Sequence, residues 1–466
     1  MNKRRLVLKY FLFDLLASLI VWVLFMLFRK IVNDGLIFDG LRVLIPNYNF
    51  FTSLSLFPVS CVFVHYLSGF YLQPHKQSTF TIILTTLTAS VIISITIFFV
   101  LLLDDVVVSY EYYYYSLLVL LGLLFTITYT FRAFVSSQVS YNYLTKKWTS
   151  NTLIIGTGNN ALKIANELEK NAKQNTLIGF VSVNQQIYVS PDKVLGTLNQ
   201  IASIIETRNI QEAIVVLDNA DEQQLFTIIN SLYKFNIEIR FTPRLYEILT
   251  GSAKINRLEI SPFVSITNSS MSDWEASVKR FFDILISTIA LVILSPFLLY
   301  FMFRIKRDSK GPIFYCQQRI GRYGKPFDIL KFRTMYLGSE NGIPKLSSAN
   351  DDRITPVGRV LRKYRIDEIP QFWNIIKGDM SLVGPRPERR YYINRIIEEA
   401  PYYCLLYKIR PGLTSWGPIK IGYSDCVEKM IERLNYDIIY LDNMSLLTDM
   451  KILIYTLEII FKGKGV

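Results

Sequence analysis

Four apolar runs occupy the first third of the chain, at about Tyr10–Val32, Phe50–Leu72, Phe80–Leu103 and Tyr113–Phe134. Each is near the ~20 residues a helix needs to cross a bilayer, and together they predict a four-helix transmembrane bundle over residues 1–150. The first run is too long for a signal-peptide core and no small-residue cleavage pattern follows it, so it reads as a retained helix. Lys3, Arg4, Arg5 and Lys9 precede it, His75-Lys76 lies between the second and third runs, and Arg132, Lys146 and Lys147 end or follow the fourth. The connection from Asp104 to Glu111 has no Lys or Arg. The positive-inside rule therefore puts both ends of the bundle in the cytoplasm, with aromatic clusters such as Tyr110 to Tyr115 at an interface.

The pattern changes after residue 150. Short apolar runs at Thr152–Gly156, Ile178–Val183 and Ala213–Leu217 alternate with helical patterns at Ala161–Lys170 and Glu222–Lys234. That alternation predicts a Rossmann-like α/β domain with a parallel sheet over 151–250. Gly156-Thr-Gly158-Asn-Asn-Ala161 follows the first strand as a Gly-x-Gly-x-x-Ala element, making Gly156, Gly158 and Ala161 candidate nucleotide-binding positions. The second strand ends at Val183-Asn184, without the acidic residue that would hold a ribose. A structural or regulatory module and a bound nucleotide both remain open, and bound NAD is not expected. Residues 251–278, with Gly251, Pro262 and several Ser and Thr, predict a linker.

A fifth apolar run, Ile284–Phe303, opens at Lys279-Arg-Phe-Phe-Asp283 and closes at Arg304, Lys306 and Arg307. Basic residues at both ends oppose a single crossing. Ser295-Pro296 in its middle would remove an intrahelical bond and bend the helix. A helix-break-helix over 279–307 that enters and leaves by one leaflet answers both points, with the serine or nearby polar groups satisfying the freed backbone. Residues 308–466 have mixed charge and predict a mixed α/β globular unit lying on the membrane surface. Near its end, Asp437, Tyr440, Asn443 and Asp449 are expected on a solvated helix face.

Composition sharpens this outline. A chain of 466 residues exceeds what one core usually supports. It is 51% apolar yet carries a net charge of +13, which points to a basic cytoplasmic face meeting anionic lipids and phosphates, more than to nucleic acid. The four cysteines, Cys61, Cys316, Cys404 and Cys426, have no ligand spacing, and the two histidines lie in the apolar N-terminal region, so neither a zinc site nor a disulfide framework is expected.

The candidate chemistry lies between Arg365 and Pro387. Asp367 suits the N-cap of a short helix, Glu368 and Pro370 its first turn, and Gly378 the position just past its end. A helix N-terminus is a natural seat for phosphate. Two adjacent carboxylates there repel each other and the phosphate unless a divalent cation is present. One can then hold the ion while the other attacks phosphorus. Taken alone, the pair is more simply a cap and a dipole complement. Its surroundings change that: Arg362-Lys-Tyr-Arg365 precedes it, and Gly384-Pro-Arg-Pro387 follows in a rigid turn presenting Arg386. Arginine suits bidentate phosphate recognition. Gln318-Arg-Ile-Gly321 and Lys331-Phe-Arg-Thr-Met335 add further cations.

These motifs, together with Lys279-Arg280, Asp283, Ser295-Pro296, Asp352-Arg353, Gly378-Asp379 and Arg410-Pro-Gly-Leu-Thr414, resemble the bacterial polyprenyl-phosphate phosphoglycosyl transferases (bacterial sugar transferases, large monotopic form) over about residues 279–460. The resemblance implies transfer of sugar 1-phosphate from a UDP-sugar to a polyprenyl phosphate such as undecaprenyl phosphate, with release of UMP. It implies a multi-pass protein of the bacterial inner membrane with a cytoplasmic catalytic domain and a re-entrant helix. The product would begin an exopolysaccharide, capsule or lipopolysaccharide O-antigen repeat. Asp367 would be the catalytic nucleophile, and Glu368 with Asp367 would hold Mg2+ or Mn2+. Substrate-binding positions would be Lys279, Arg280, Asp283, Ser295, Pro296, Gln318, Arg319, Lys331, Arg333, Arg353, Arg362, Arg365, Asp379 and Arg386. The lipid bilayer is a further partner, nucleic acid is not, and a homo-oligomer stays open. After Thr414 the chain departs from the family, with Ser415-Trp-Gly-Pro418 where Gly and Gln are usual, which leaves sugar recognition unassigned. Two other classes compete: a membrane-tethered nucleotide-sugar oxidoreductase, for which no Tyr-x-x-x-Lys set stands out in 151–250, and a silent scaffold for polysaccharide assembly.

Overall fold

The computed structural model describes residues 3–34, 48–104, 111–171, 175–183, 188–217, 222–235, 237–242, 264–265, 271–339, 351–422 and 426–461. They form two compact units, one of residues 1–149 with 272–279 and one of residues 150–271 with 280–466.

In the first unit the apolar runs fold as α1 (Lys3–Asp34), α2 (Tyr48–Leu67), α3 (Thr79–Asp104) and α4 (Glu111–Leu144). α1, α3 and α4 are long and apolar enough to cross a membrane, while the apolar stretch of α2, Thr52–Leu67, is shorter and contains Pro58. Val21, Phe25, Phe57, Leu120 and Leu124 fill the interior, and Leu12, Leu56, Ile92, Phe99 and Leu118 face outward. Inside the bundle lies a polar node. The fully buried Arg132 of α4 grips Asp14 of α1, with Nε 2.9 Å from Oδ1 and Nη2 2.7 Å from Oδ2. Thr86 of α3 accepts from Arg132 Nη1 at 3.0 Å, Tyr71 donates to Asp14 at 2.6 Å, and the Phe70 ring lies 3.9 Å from the guanidinium carbon.

The second unit begins with β1 (Ser150–Ile155), α5 (Asn159–Asn171), β2 (Asn175–Ser182), β3 (Val194–Thr197), α6 (Ile201–Thr207), β4 (Glu212–Val215), α7 (Glu222–Leu232), β5 (Glu238–Phe241) and β6 (Val264–Ser265); β1, α5, β2, β4 and α7 were expected, and the other four are additions to that alternation. The strands run in the order β3-β2-β1-β4-β5-β6, the first five parallel and β6 antiparallel. Much of the expected 251–278 linker lies outside the described residues. The part that is described is structured: β6 pairs with β5, and the next helix has already begun at Asp273. At the end of β1, Gly156 has φ +129°, and a Cβ there would lie 2.0 Å from the Val216 carbonyl oxygen, so close approach to the end of β4 requires glycine. Ala161 is fully buried against Ile154 and Phe180. Asn184, at the expected ribose position, lies outside the described residues.

α8 (Asp273–Asp308) then runs as one continuous helix. This corrects the break expected at Ser295-Pro296. Pro296 leaves the Val292 carbonyl without its usual partner, and Ser295 Oγ donates to that oxygen at 2.7 Å. A local serine therefore satisfies the group whose loss was expected to interrupt the helix.

The antiparallel hairpin β7 (Phe314–Ile320) and β8 (Pro326–Phe332) follows, then α9 (Pro356–Lys363), α10 (Gln371–Lys377), β9 (Ser381–Val383), α11 (Arg390–Glu399), β10 (Gly412–Thr414), α12 (Trp416–Ile421), α13 (Val427–Asp442) and α14 (Leu446–Phe461). β9 and β10 pair in parallel. Leu298 and Ile305 of α8 share an apolar cluster with Phe332 and Leu361, while Ile289, Val292, Ile293, Phe297 and Leu299 are exposed. Ile228 and Tyr233 of the parallel-sheet region share a core with Ile393, Tyr403 and Leu434, and Asn230 Nδ2 donates to the Pro401 carbonyl at 3.2 Å. The solvated face expected near the end of the chain is mostly interior. Asp437, Tyr440 and Asp449 are buried, with Tyr440 donating to Asp449 at 2.6 Å, and Asn443 alone of the four is exposed.

Candidate active site

Arg365 ends the α9 segment in the left-handed region at φ 54°, and Ile366–Glu368 then form a single 3-10 turn. α10 starts after Pro370, so Asp367 is not its N-cap, contrary to expectation. The proline fixes the start of α10 at its own position, which puts both acidic residues in the preceding turn. Gly378 does end α10, at φ 102°.

The turn buries both carboxylates but treats them differently. Glu368 Oε1 accepts from Lys331 Nζ of β8 at 3.0 Å and from Arg386 Nη2 at 3.1 Å, and Arg365 Nη1 lies 3.5 Å from Oε2. Asp367 takes part in no hydrogen bond or ion pair of its side chain among the described residues. Burial lifts its carboxyl to about 6, with Glu368 pushing the same way and Lys331, Arg362 and Arg386 opposing. Burial also works against the Glu368 charge, but Lys331, Arg386 and Arg365 outweigh it and hold that group well below the usual carboxylate range. One carboxylate is thus locked as an anion, and its neighbour is unencumbered and basic for an aspartate.

Lys331, Arg362, Arg365 and Arg386 are the expected cations that gather around the pair; Arg362 Nε also donates to Thr334 Oγ1 at 3.0 Å. Other expected residues are engaged elsewhere. Arg333 Nη2 donates to the Ser309 carbonyl at 2.7 Å and Arg353 Nε to Asp351 Oδ1 at 2.8 Å. Arg280 donates to the Ile375 and Ile376 carbonyls at 2.8 and 3.1 Å, satisfying the end of α10. Asp283 is buried and accepts from Ser381 Oγ at 2.7 Å and the Leu382 amide at 3.0 Å. Gln318, Ser295 and Pro296 are exposed, Lys279 is half-buried, and Asp379 lies 3.3 Å from Lys377 Nζ. Arg319 Nη1 donates to the Pro387 carbonyl and to Glu388, each at 3.3 Å, behind the turn that carries Arg386.

Glu388, Arg433 and Asp437 form a buried charge network that the sequence reading overlooked. A signal for it exists. Arg433 and Asp437 sit four residues apart on α13 among Met430, Leu434 and Leu441, on the stripe a helix turns inward.

No cluster of three or more His, Cys, Asp or Glu fit for a metal occurs among the described residues. Mg2+ is commonly held by one or two carboxylates plus substrate phosphates, and Asp367 with Glu368 supplies that donor set. The three cations on Glu368 oppose a divalent ion binding there by itself, so the residues fit a metal that arrives with a diphosphate.

The bacterial sugar transferase family matches residues 274–463, and a CoA-binding domain family matches residues 67–243. The chain is 37% identical over 230 residues to the UDP-N-acetylgalactosamine-undecaprenyl-phosphate N-acetylgalactosaminephosphotransferase of Aeromonas hydrophila, covering 49% of this chain and 54% of that one. It is 29% identical to the UDP-glucose:undecaprenyl-phosphate glucose-1-phosphate transferase of Escherichia coli (strain K12), covering 58% of each chain. The protein of the same description from Caulobacter vibrioides is 39% identical over 180 residues, covering 38% of this chain and 67% of that one. The chain thus spans little more than half of the first two relatives. The unequal carboxylate pair and the four cations around it all fall inside the matched 274–463 region, and the chain belongs to the bacterial sugar transferase family, the polyprenyl-phosphate phosphoglycosyl transferases.

Proposed function

We propose that this protein transfers sugar 1-phosphate from a UDP-sugar to undecaprenyl phosphate, through a phosphosugar intermediate on Asp367. The observation that carries the reading is the contrast between the two buried carboxylates: Glu368 is tied to three cations, and Asp367 is paired with none of the described groups. An Asp367 oxygen attacks the phosphorus bearing the sugar, the bond from that phosphorus to the bridging oxygen breaks, and UMP leaves with the electron pair. An oxygen of the polyprenyl phosphate then attacks the same phosphorus, breaking its bond to Asp367 and restoring the carboxylate. Lys331, Arg362, Arg365 and Arg386 bind and orient the phosphate oxygens. Glu368 with Asp367 would hold Mg2+, which would supply charge neutralisation for the leaving phosphate.

The acceptor is a lipid, so the site must meet a membrane surface. We infer that α8 is re-entrant from the cytoplasmic face of the bacterial inner membrane. In support, Arg280 and Asp283 near one end and Ile305 and Asp308 near the other all engage the same globular unit, and the apolar middle is exposed. The parallel order β3-β2-β1-β4-β5 supports reading the middle region as a Rossmann-like structural module.

The test is UMP release by purified protein across UDP-glucose, UDP-galactose and their N-acetylated forms. Labelled UDP-sugar without acceptor should leave label on the peptide containing Asp367, with ping-pong kinetics, and a chelator should inhibit. Near wild-type turnover by Asp367→Asn, or a need for both substrates before UMP leaves, would replace the covalent route by direct attack of the acceptor.

A further inference from the structure

Arg386 reaches the carboxylate pocket from the Gly384–Pro387 turn. The Gly384–Pro387 turn that carries it is held along its backbone: the Gly384 amide donates to the Thr414 carbonyl at 3.0 Å, and the Gly412 amide to the Pro385 carbonyl at 2.9 Å. Directly after the turn, Glu388 points inward. It is 6% exposed, and its oxygens meet Arg433 Nη2 on one side and Arg319 Nη1 on the other. Its own carbonyl accepts from the Ile320 amide at 3.0 Å. Arg433 is equally buried, faces Asp437 one helical turn on, and lies flat over Gly417, where a Cβ would sit 2.1 Å from Arg433 Cγ. Gly417 belongs to Ser415-Trp-Gly-Pro418, at the start of α12.

Buried ion networks seldom add stability over apolar packing, and their best-attested use is to fix one arrangement among several. The network meets the turn that carries Arg386: Glu388 follows Pro387 directly, and Arg319 donates to the Pro387 carbonyl at 3.3 Å. Resting on the transferase reading, we propose that Glu388 and Arg433 are positioning residues: they lock the exit of the Gly384–Pro387 turn so that Arg386 stays against Glu368. Loosening the clamp lets Arg386 swing away. The pocket then loses a phosphate-binding cation.

The test is a double-mutant cycle on the full-length protein, reading kcat/KM for UMP release and the affinity for UDP by calorimetry. Arg433→Met and Arg386→Met should each lower kcat/KM about 10- to 100-fold, and the double variant should be no worse than Arg386→Met alone. Arg433→Lys should recover part of the loss. Recovery by Arg433→Lys and non-additivity with Arg386→Met are effects that mere loosening of the fold does not produce. If Arg433→Met does not fold, Arg433→Lys and Gly417→Ala take its place in the same cycle. Losses that multiply, or an Arg433 variant with wild-type kcat/KM, overturn the proposal while leaving the transferase reading intact. A wild-type protein that neither binds UDP nor cleaves UDP-sugars overturns both.

Discussion

Replacing Asp367 by Asn should abolish UMP release and, above pH 6, make the catalytic unit more stable. Burial raises this carboxyl to about 6, against 3.8 for a free aspartate, a difference of roughly 2 pH units. At 1.36 kcal/mol per unit, ionising it inside the fold costs about 3 kcal/mol. The sign follows from a folded value above the unfolded one. The favourable contribution of the protonated form is fully present below 3.8 and is lost as pH rises through about 6. Asn stays neutral at every pH and keeps the side chain's shape, so its advantage should be about 1–3 kcal/mol at pH 7.5 and vanish near pH 4. For a cooperative unit of 150–250 residues each kcal/mol moves the midpoint by roughly 2–4 °C. The assay is thermal unfolding of wild type and variant in the same detergent at pH 7.5 and pH 4, beside UMP release. A variant less stable than wild type at pH 7.5, or equally stabilised at both pH values, would refute the argument that the site stores an unfavourable charge for use as a nucleophile.

Other perturbations test neighbouring parts of the argument. Gly156→Ala meets both a φ of +129° and the Val216 carbonyl at 2.0 Å, so it should lower the unfolding midpoint by several degrees while UMP release at 20 °C stays within about twofold; a large loss of activity without loss of stability would instead give that loop a ligand. Asp283→Ala strands the Leu382 amide and the Ser381 hydroxyl and should cost about 3–5 kcal/mol, Asp283→Asn about half of that, read by denaturant unfolding. With the exposed Cys316 first replaced, cysteines at Arg280 and Lys306 should both react with an impermeant thiol reagent from the cytoplasmic side; labelling from opposite sides would make α8 a true crossing.

Elements whose signal is periodic were legible in the sequence. The runs ending in α1 to α4, and β1, β2 and β4 with α5 and α7, depend on burial of one face or both, and burial writes itself into hydrophobic spacing; the short β3, α6 and β5 were not read. Lys331, Arg365 and Arg386 could also be anticipated beside Glu368, because their motifs lie in short rigid segments. What failed was local backbone detail. A left-handed Arg365 and Pro370 turn a would-be N-cap into a 3-10 turn, and Ser295 repairs the bond that Pro296 removes. Long-range pairing was invisible for another reason. Asp283 with Leu382, and Glu388 with Arg433, join residues 99 and 45 positions apart, and nothing in either sequence neighbourhood names the partner. Asp437 and Asp449 looked solvated because charged side chains usually are; their nearby partners, Arg433 four residues before Asp437 and Tyr440 nine residues before Asp449, lie on the inward stripe that was not read.

The buried Asp14–Arg132 pair has a consequence for how the bundle is made. The two residues lie 118 positions apart, in the first and last of the four helices. On insertion scales an unpaired Asp or Arg costs about 2.5–3.5 kcal/mol at the centre of a membrane helix and less toward its ends, where Asp14 and Arg132 lie in their apolar runs. At roughly 5–20 residues per second, about 6–24 s of translation separate the synthesis of Asp14 from that of its counter-ion. During that interval α1 holds a carboxylate with no cation to answer it, and α1 is best kept in a polar or protein-lined setting. Release of the bundle into lipid is then tied to the arrival of α4. A ribosome stalled before Arg132 would leave α1 easily extracted, and one stalled well after it would not.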